Sequence, residues 1–531
     1  MIPAQTETLA GADAAGSAGP RRHLSVWLER AIVGCLFLFA FFAPHSIAAT
    51  QGAWMLALLF WALRFLVRPR PKVFRTPLDY ALLGFYILTL VSAFCSYDPL
   101  VSIGKLRAAN LFTIVYVVAE NIRTPRVLRS LAVVLVASCL LNVFYTFGVT
   151  AIGRGVKIEE LNRDGPLAAA GVRAGETLVA VDGVAANSPE ELERGIKTMH
   201  TAADNHIRWP DQTIACTWDE QTACIGGQHA EVLSVFSVPR GSLQMGATAA
   251  ARLGLLRWAR GHDDRATGFY GQYTTYAEAL QLITSLALGL FIALPRKRSP
   301  RGVLLAGAVA LMLVALVLTV TRASWLGFLV SAFVIALACA RRRVLLMTAA
   351  GMLPLALAGL FVLHQQRRVG FIDPQEGSTA WRLVVWREGV RVLFSRPRHL
   401  LVGVGMDSLK QHWREWGMFE GGKLPWGHLH STPLQIAFER GIPTLLVWLA
   451  LLYLYARMLW RLVRGGRLAN WIERGIALGA LGGMVGFCTS GMVHYNLGDS
   501  EVAMLFYFIM GLALAVNQQA APTLAHKASA P

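Results

Sequence analysis

Two histidines one residue apart, His428-Leu429-His430, close a polar interval at 364–431 in a chain that is otherwise almost continuously apolar. An imidazole, with a reference pKa of about 6.5, exchanges a proton near neutral pH and can take one from an attacking hydroxyl. Arg322 stands alone in the turn Thr321-Arg322-Ala323-Ser324-Trp325 between two apolar runs. A charge there is costly and by default functional, against the plainer reading of a snorkelling helix anchor. Arg382 falls between Trp381 and Trp386 on a predicted helix, where aromatic surface can support a guanidinium and line a sugar site. Its plainer reading is a solvated interfacial arginine. Arg265 is a third candidate, and the nearby Arg257 and Arg260 make a generic basic surface its alternative. Guanidiniums are permanently charged and grip phosphate oxygens bidentately, so the set suits a departing diphosphate.

The elements that must position these groups follow from composition. The chain has 531 residues, 55% hydrophobic and 15% charged, with a mean hydropathy of +0.47. That is the composition of a polytopic membrane protein, not of a soluble multidomain one. The net charge of +18 is distributed in short Lys/Arg clusters between apolar runs, a topology signal that argues against nucleic acid as a partner and leaves membrane lipids as the surroundings. Counting runs of roughly 20 apolar residues gives about twelve spanning helices, near 31–49, 53–67, 78–95, 108–120, 127–149, 273–294, 302–320, 323–340, 344–363, 432–456, 474–494 and 499–517.

The basic clusters fall on one side, whereas the short loops of the other hold only Lys105, Arg107 and Arg322. Both termini are therefore expected in the cytoplasm. The expected organisation is a disordered cytoplasmic N-terminus over 1–30, helices one to five over 31–149, an outside insertion at 150–262, helices six to nine over 263–363, an outside helical loop at 364–431, helices ten to twelve over 432–518, and a tail at 519–531. The element Gly441-Ile442-Pro443 is expected to kink the tenth helix. Glu439 reads equally as a partner of Arg440 and as a substrate contact.

The insertion reads as a strand, a short Ala-rich helix ending at Gly171, a turn at Gly175, a strand Thr177–Val181, an Asp182-Gly183 hairpin turn and a Ser188-Pro189-Glu190-Glu191 helix start. Residues 166–183 closely resemble a bacterial-type PDZ domain, which implies an α+β unit that adds an extended peptide or protein segment to a sheet edge. A spacer without a ligand is the alternative. Cys216 and Cys224 share this segment and could form a local disulfide in an oxidising compartment. The Ala-rich stretch 247–260 reads as an amphipathic surface helix.

A PDZ-like unit in a membrane protein raises the intramembrane zinc protease as a rival, but H-E-x-x-H does not occur. His428 and His430 would fall on opposite sides of a helix and serve zinc poorly.

The four motifs, Arg265-Ala266-Thr267-Gly268, Thr321-Arg322-Ala323-Ser324-Trp325, Trp381-Arg382 through Trp386 and His428-Leu429-His430-Ser431, in this order within a twelve-helix frame, resemble the O-antigen ligase and polymerase superfamily of bacterial envelope glycosyltransferases. The resemblance implies an all-α polytopic inner-membrane enzyme. It would move a glycan from undecaprenyl diphosphate to a hydroxyl of lipid A core, of another lipid-linked glycan or of a protein, with inversion. It implies His430 as base, Arg322, Arg382 and Arg265 on the diphosphate, and His428, Trp381 and Trp386 orienting the acceptor. No cofactor or metal is called for, because arginines supply the positive charge. Family members commonly carry Asn where Ser431 stands here. The rival from another class is a non-catalytic envelope transporter or scaffold. It is disfavoured because ionisable residues collect in loops instead of at the middle of several helices.

Overall fold

The computed structural model describes residues 20–520 except 69, 72–74, 199–205, 210–211, 218, 230–231, 263–264, most of 340–376, 425–426, 467 and 469, and gives the backbone alone for strand residues 206–217 and 228–234. The expected span at 344–363, the start of the polar interval at 364–376 and the expected tails at 1–19 and 521–531 lie largely or wholly outside these residues. Helix α1 (Pro20–Phe42) begins within the stretch expected as a tail and packs against α2 (Ile47–Arg64). Next come α3 (Asp79–Phe94), α4 (Pro99–Ala109) and, after one 3-10 turn, α5 (Thr113–Asn121). The last two form one apolar stretch, Pro99–Asn121, longer than the 108–120 run counted in the sequence. Thr124 then accepts from Val127 N and Pro125 takes the first helical position, so α6 (Pro125–Ile152) starts sharply.

The insertion is a compact α+β unit. Strands β1 (Arg154–Leu161), β2 (Thr177–Val181), β6 (Thr222–His229), β7 (Val232–Pro239) and β8 (Leu255–Gly261) lie in the order β7-β6-β2-β1-β8, with the short β3 (Val184–Ala185) also on β2. Strands β4 (His206–Trp209) and β5 (Gln212–Thr217) pair separately. The expected Asp-Gly turn joins β2 and β3, with Asp182 at φ +47° and Gly183 at φ +77°. Helices α7 (Pro166–Ala169) and α8 (Pro189–Lys197) start after Gly165 and Ser188, and Leu167, Leu178, Leu192, Ile225 and Phe236 fill the core. The amphipathic helix expected over 247–260 is not formed. Only α9 (Ala249–Leu253) is helical, Gly254 ends it at φ +79°, and β8 pairs antiparallel with β1. The strand satisfies its backbone in the sheet, which a helix lying on a membrane surface would not have offered β1.

Beyond the insertion run α10 (Tyr273–Ala293), α11 (Pro300–Leu318), α12 (Arg322–Cys339), α13 (Gly377–Phe394), α14 (Pro397–Val402), α15 (Thr432–Arg440), α16 (Ile442–Arg464), α17 (Trp471–Gly491) and α18 (Ser500–Ala520). Among the described residues nine helices are long and apolar enough to cross a membrane, and Asp79–Phe94 is a shorter apolar helix. α17 falls outside the nine because Glu473, Arg474 and six glycines dilute it, yet it is the most central packing element. Its glycines let backbones touch: a Cβ on Gly475 would lie 2.7 Å from Leu290 Cα of α10. Close approach of small residues is how helices associate without a hydrophobic drive between them. Polar contacts complete this contact region, with Gln281 Nε2 donating to Ser331 Oγ at 2.9 Å and Ser331 Oγ to Gly482 O at 2.6 Å.

The expected kink at Gly441 is a full break. Gly441 takes φ +83° and ψ 164°, ending α15 and starting α16, and any Cβ there would meet the Leu401 carbonyl carbon at 2.6 Å. The tenth predicted helix is therefore a nine-residue piece followed by a spanning one.

Candidate active site

The histidine segment is an irregular turn, and Trp386 of α13 holds it by donating from Nε1 to Leu429 O at 2.7 Å. Leu429 N donates to Gln435 Oε1 at 2.7 Å. Leu429 itself is fully buried beneath α13, where a Cβ on Gly389 would touch it at 3.2 Å. His430 follows at φ +47°, a left-handed conformation uncommon outside glycine that the surrounding contacts impose. The ring of Trp381 meets the His430 ring edge-on, with centroids 4.8 Å apart. The two tryptophans expected to flank a sugar therefore also fix the imidazoles. His428 and His430 are not on opposite sides of anything helical: their ring centroids lie 4.0 Å apart.

Gln435 connects this turn to a second cluster. Its Nε2 donates to Glu439 Oε1 at 2.9 Å, the same oxygen that accepts from Asp407 N at 3.1 Å. Asp407 in turn pairs with Lys105 and Lys410, each at 2.9 Å. Glu439 thus sits in a network with Gln435 and Asp407. The segment Gly403-Val404-Gly405 lies against the end of α15, with Val404 N donating to Phe438 O at 3.0 Å and Gly405 N to Glu439 O at 2.9 Å.

The loop between α17 and α18 supplies a third set. Arg382 Nε donates to Val493 O at 3.2 Å, and Thr432 N donates to His494 O at 3.0 Å. His494 Nδ1 lies 3.0 Å from Glu278 Oε1 of α10, and both side chains are buried. Just before α10, Phe269 N donates to Asn142 Oδ1, Tyr270 to Ala43 O, and Ala266 N to Leu318 O. This pinned segment carries Arg265, whose guanidinium lies over the Tyr273 ring at 4.2 Å.

These pieces line one open cavity of about 730 Å³. Arg265, Arg322, Arg382, Trp386, His428 and His430, far apart in sequence, all line it, and Trp381 backs His430. The sequence reading missed His494, Glu278, Asp407, Gln435, Lys105 and Lys410. One signal was available: Glu278 interrupts an apolar run of spanning length, and Val493-His494-Tyr495-Asn496 is a polar break between two others. Cys224 lies elsewhere, buried in β6 and disulfide-bonded. The side chain of Cys216, its expected partner, is outside the described residues.

Burial, with added repulsion from His428, Arg382 and His494, holds the His430 ring well below the ordinary imidazole range. Burial, then Lys410, His494 and Arg382, lowers His428 to about 4, against the opposing pull of Asp407. Burial raises the Glu439 carboxyl, opposed by Arg440 and by its hydrogen bonds from Asp407 N and Gln435. Both imidazoles are therefore neutral near pH 7, and a neutral ring nitrogen can accept a proton in a cavity that Arg265, Arg322 and Arg382 also line.

Residues 307–449 match the O-antigen ligase family. No curated protein matches the chain. The O-antigen ligase match runs from α11 into α16 and contains Arg322, Arg382, His428 and His430. Arg265, Glu278, His494 and the whole insertion lie outside the O-antigen ligase region, although the cavity joins the first three to it.

Proposed function

We propose that this chain is an O-antigen ligase-like glycosyltransferase of the bacterial inner membrane, moving a glycan from undecaprenyl diphosphate to a hydroxyl of lipid A core on the periplasmic side. The observation that carries the reading is the convergence of His430 with Arg265, Arg322 and Arg382 on one cavity. In a single inverting displacement, His430 takes the acceptor hydroxyl proton as that oxygen attacks the anomeric carbon, and the guanidiniums stabilise the departing diphosphate. The lowered His430 basicity fits this order of events. A donor bringing two negative charges beside Arg382 offsets the repulsion that depresses the imidazole, so the base gains strength when the donor is seated.

The insertion supports a second reading of the acceptor. Its PDZ-like order of elements, with β7 and β8 as the edges of the sheet, suits capture of an extended peptide, which favours a protein hydroxyl as acceptor. A disulfide between Cys224 and Cys216 fits a periplasmic insertion.

The test is complementation of strains lacking an O-antigen ligase, a polymerase or an O-linked protein oligosaccharyltransferase, with wild type and His430→Ala. Restoration of ligation by wild type alone, with the variant inserted at equal abundance, is the expected result. Normal transfer by His430→Ala refutes the mechanism, and restoration of protein glycosylation alone selects the second reading.

A further inference from the structure

One cavity cation has no part in the mechanism above. Arg440, the last residue of α15, is only 7% exposed and lines the cavity. Its Nε has no hydrogen-bond partner, and its guanidinium lies over the Phe85 ring at 5.4 Å. No ion pair forms with it among the described residues. The adjacent Glu439 carboxylate attracts it but makes no ion-pair contact with it: Oε1 is taken by Gln435 and Asp407 N, and Oε2 faces the Tyr495 hydroxyl at 3.4 Å. Lys105 and Lys410 on the same side are both paired with Asp407.

A buried guanidinium with no counter-anion in contact destabilises a fold, and an apolar residue of similar length is commonly tolerated better in its place. An arginine ending a helix can be explained by the helix dipole alone, but that explanation needs neither burial nor a cavity. An incoming anion accounts for both.

The position of Arg440 separates it from the three diphosphate candidates. Arg382 hangs from the Val493 carbonyl in the loop between α17 and α18, whereas Arg440 follows Glu439 at the end of α15, where Glu439, Asp407, Lys105 and Lys410 form their own cluster. Resting on the glycosyltransferase reading, we propose that Arg440 binds an anionic oxygen group, phosphate or carboxylate, carried by the acceptor saccharide. The enzyme then selects acceptors by charge at a point distinct from the reacting hydroxyl.

The test uses the full chain in lipid nanodiscs and measures binding of undecaprenyl diphosphate and of lipid A core, native, phosphate-stripped or carboxyl-reduced. Arg440→Met is expected to weaken native core binding at least about tenfold, the scale of one charge-assisted contact. It is expected to leave undecaprenyl diphosphate affinity within about twofold and thermal stability no lower. Wild type should discriminate against one of the two modified cores, naming the anion, and Arg440→Met should not. Arg440→Lys, which keeps a cation, should retain the discrimination and serves if the Met variant does not fold. Loss of undecaprenyl diphosphate binding in Arg440→Met, unchanged core binding, or a wild type that binds no core overturns the proposal. Core binding through Arg440 without any glycan transfer leaves it standing and overturns the glycosyltransferase reading instead.

Discussion

The backbone N–H of His430 donates to Nδ1 of His428 at 3.2 Å, so the two imidazoles are coupled through the chain as well as by the contact of their tilted rings. Accepting at Nδ1 puts the single proton of neutral His428 on Nε2. Protonating Nδ1 would break the bond that shapes the turn. Under the proposed mechanism this coupling divides the tasks, with His428 shaping the loop and His430 meeting the acceptor.

His430→Ala is expected to lower transfer by about 10²- to 10⁴-fold, the range of a lost general base. His428→Ala is expected to lower it less, about tenfold or more, by freeing the His430 backbone. Initial rates with a lipid-linked glycan in nanodiscs check both, and equal losses would refute the division of roles.

The pH profile follows from the same geometry. His430 lies well below 6.5, so the acid limb of kcat/KM is expected below pH 6.5, with activity level above it. Arg382→Met removes a positive neighbour and therefore raises the His430 pKa. Its acid limb should move to higher pH while the donor KM rises. Arg382→Lys keeps the charge but not the fork, so the limb should stay while the donor KM still rises.

Much of this site was legible in the sequence, for a reason that particular residues show. Arg322 and His430 stand out because charge and imidazole are expensive at the ends of apolar runs, so their presence is itself a signal. The Asp182-Gly183 turn and the Ser188 cap were legible because local backbone chemistry dictates them. Lys105, Asp407 and Gln435 were not, since each looks ordinary until the fold brings it to the others. The helix expected over 247–260 failed because β1 offered those residues a sheet partner, a long-range fact that composition does not contain. The break at Gly441 was read as a kink because the crowding by Leu401 that demands it comes from another helix.

Stability should depend on pH through His428. Its pKa of about 4 in the folded protein lies below the unfolded value of about 6.5, so the unfolded chain binds more protons between these limits and stability falls as pH drops through that window. The full shift corresponds to about 3 kcal/mol, and about 2 kcal/mol after allowance for the partly exposed ring. Thermal melts at pH 7.5 and 5.0 in the same detergent check it; since pH 5.0 lies inside the window, His428→Gln should flatten the difference by about 1 kcal/mol.

Gln435 is the residue on which the histidine turn and the Asp407–Glu439 cluster both depend. Gln435→Leu leaves Leu429 N without its acceptor in a fully buried position and removes a donor from Glu439. The orphaned Leu429 N–H costs about 1–3 kcal/mol and the hydrogen bond lost by Glu439, which keeps Asp407 N, about 1 kcal/mol more, so a loss of about 2–4 kcal/mol in stability is expected. Gln435→Glu keeps an acceptor for Leu429 but sets a second carboxyl against Glu439. It should therefore fold with little loss at pH 5, where one proton can be shared, and lose stability and activity together as the pH rises. Melting temperature and transfer rate measured in parallel from pH 5 to 8 decide it: a Gln435→Glu protein with a flat profile would show that Gln435 is not held between Leu429 and Glu439.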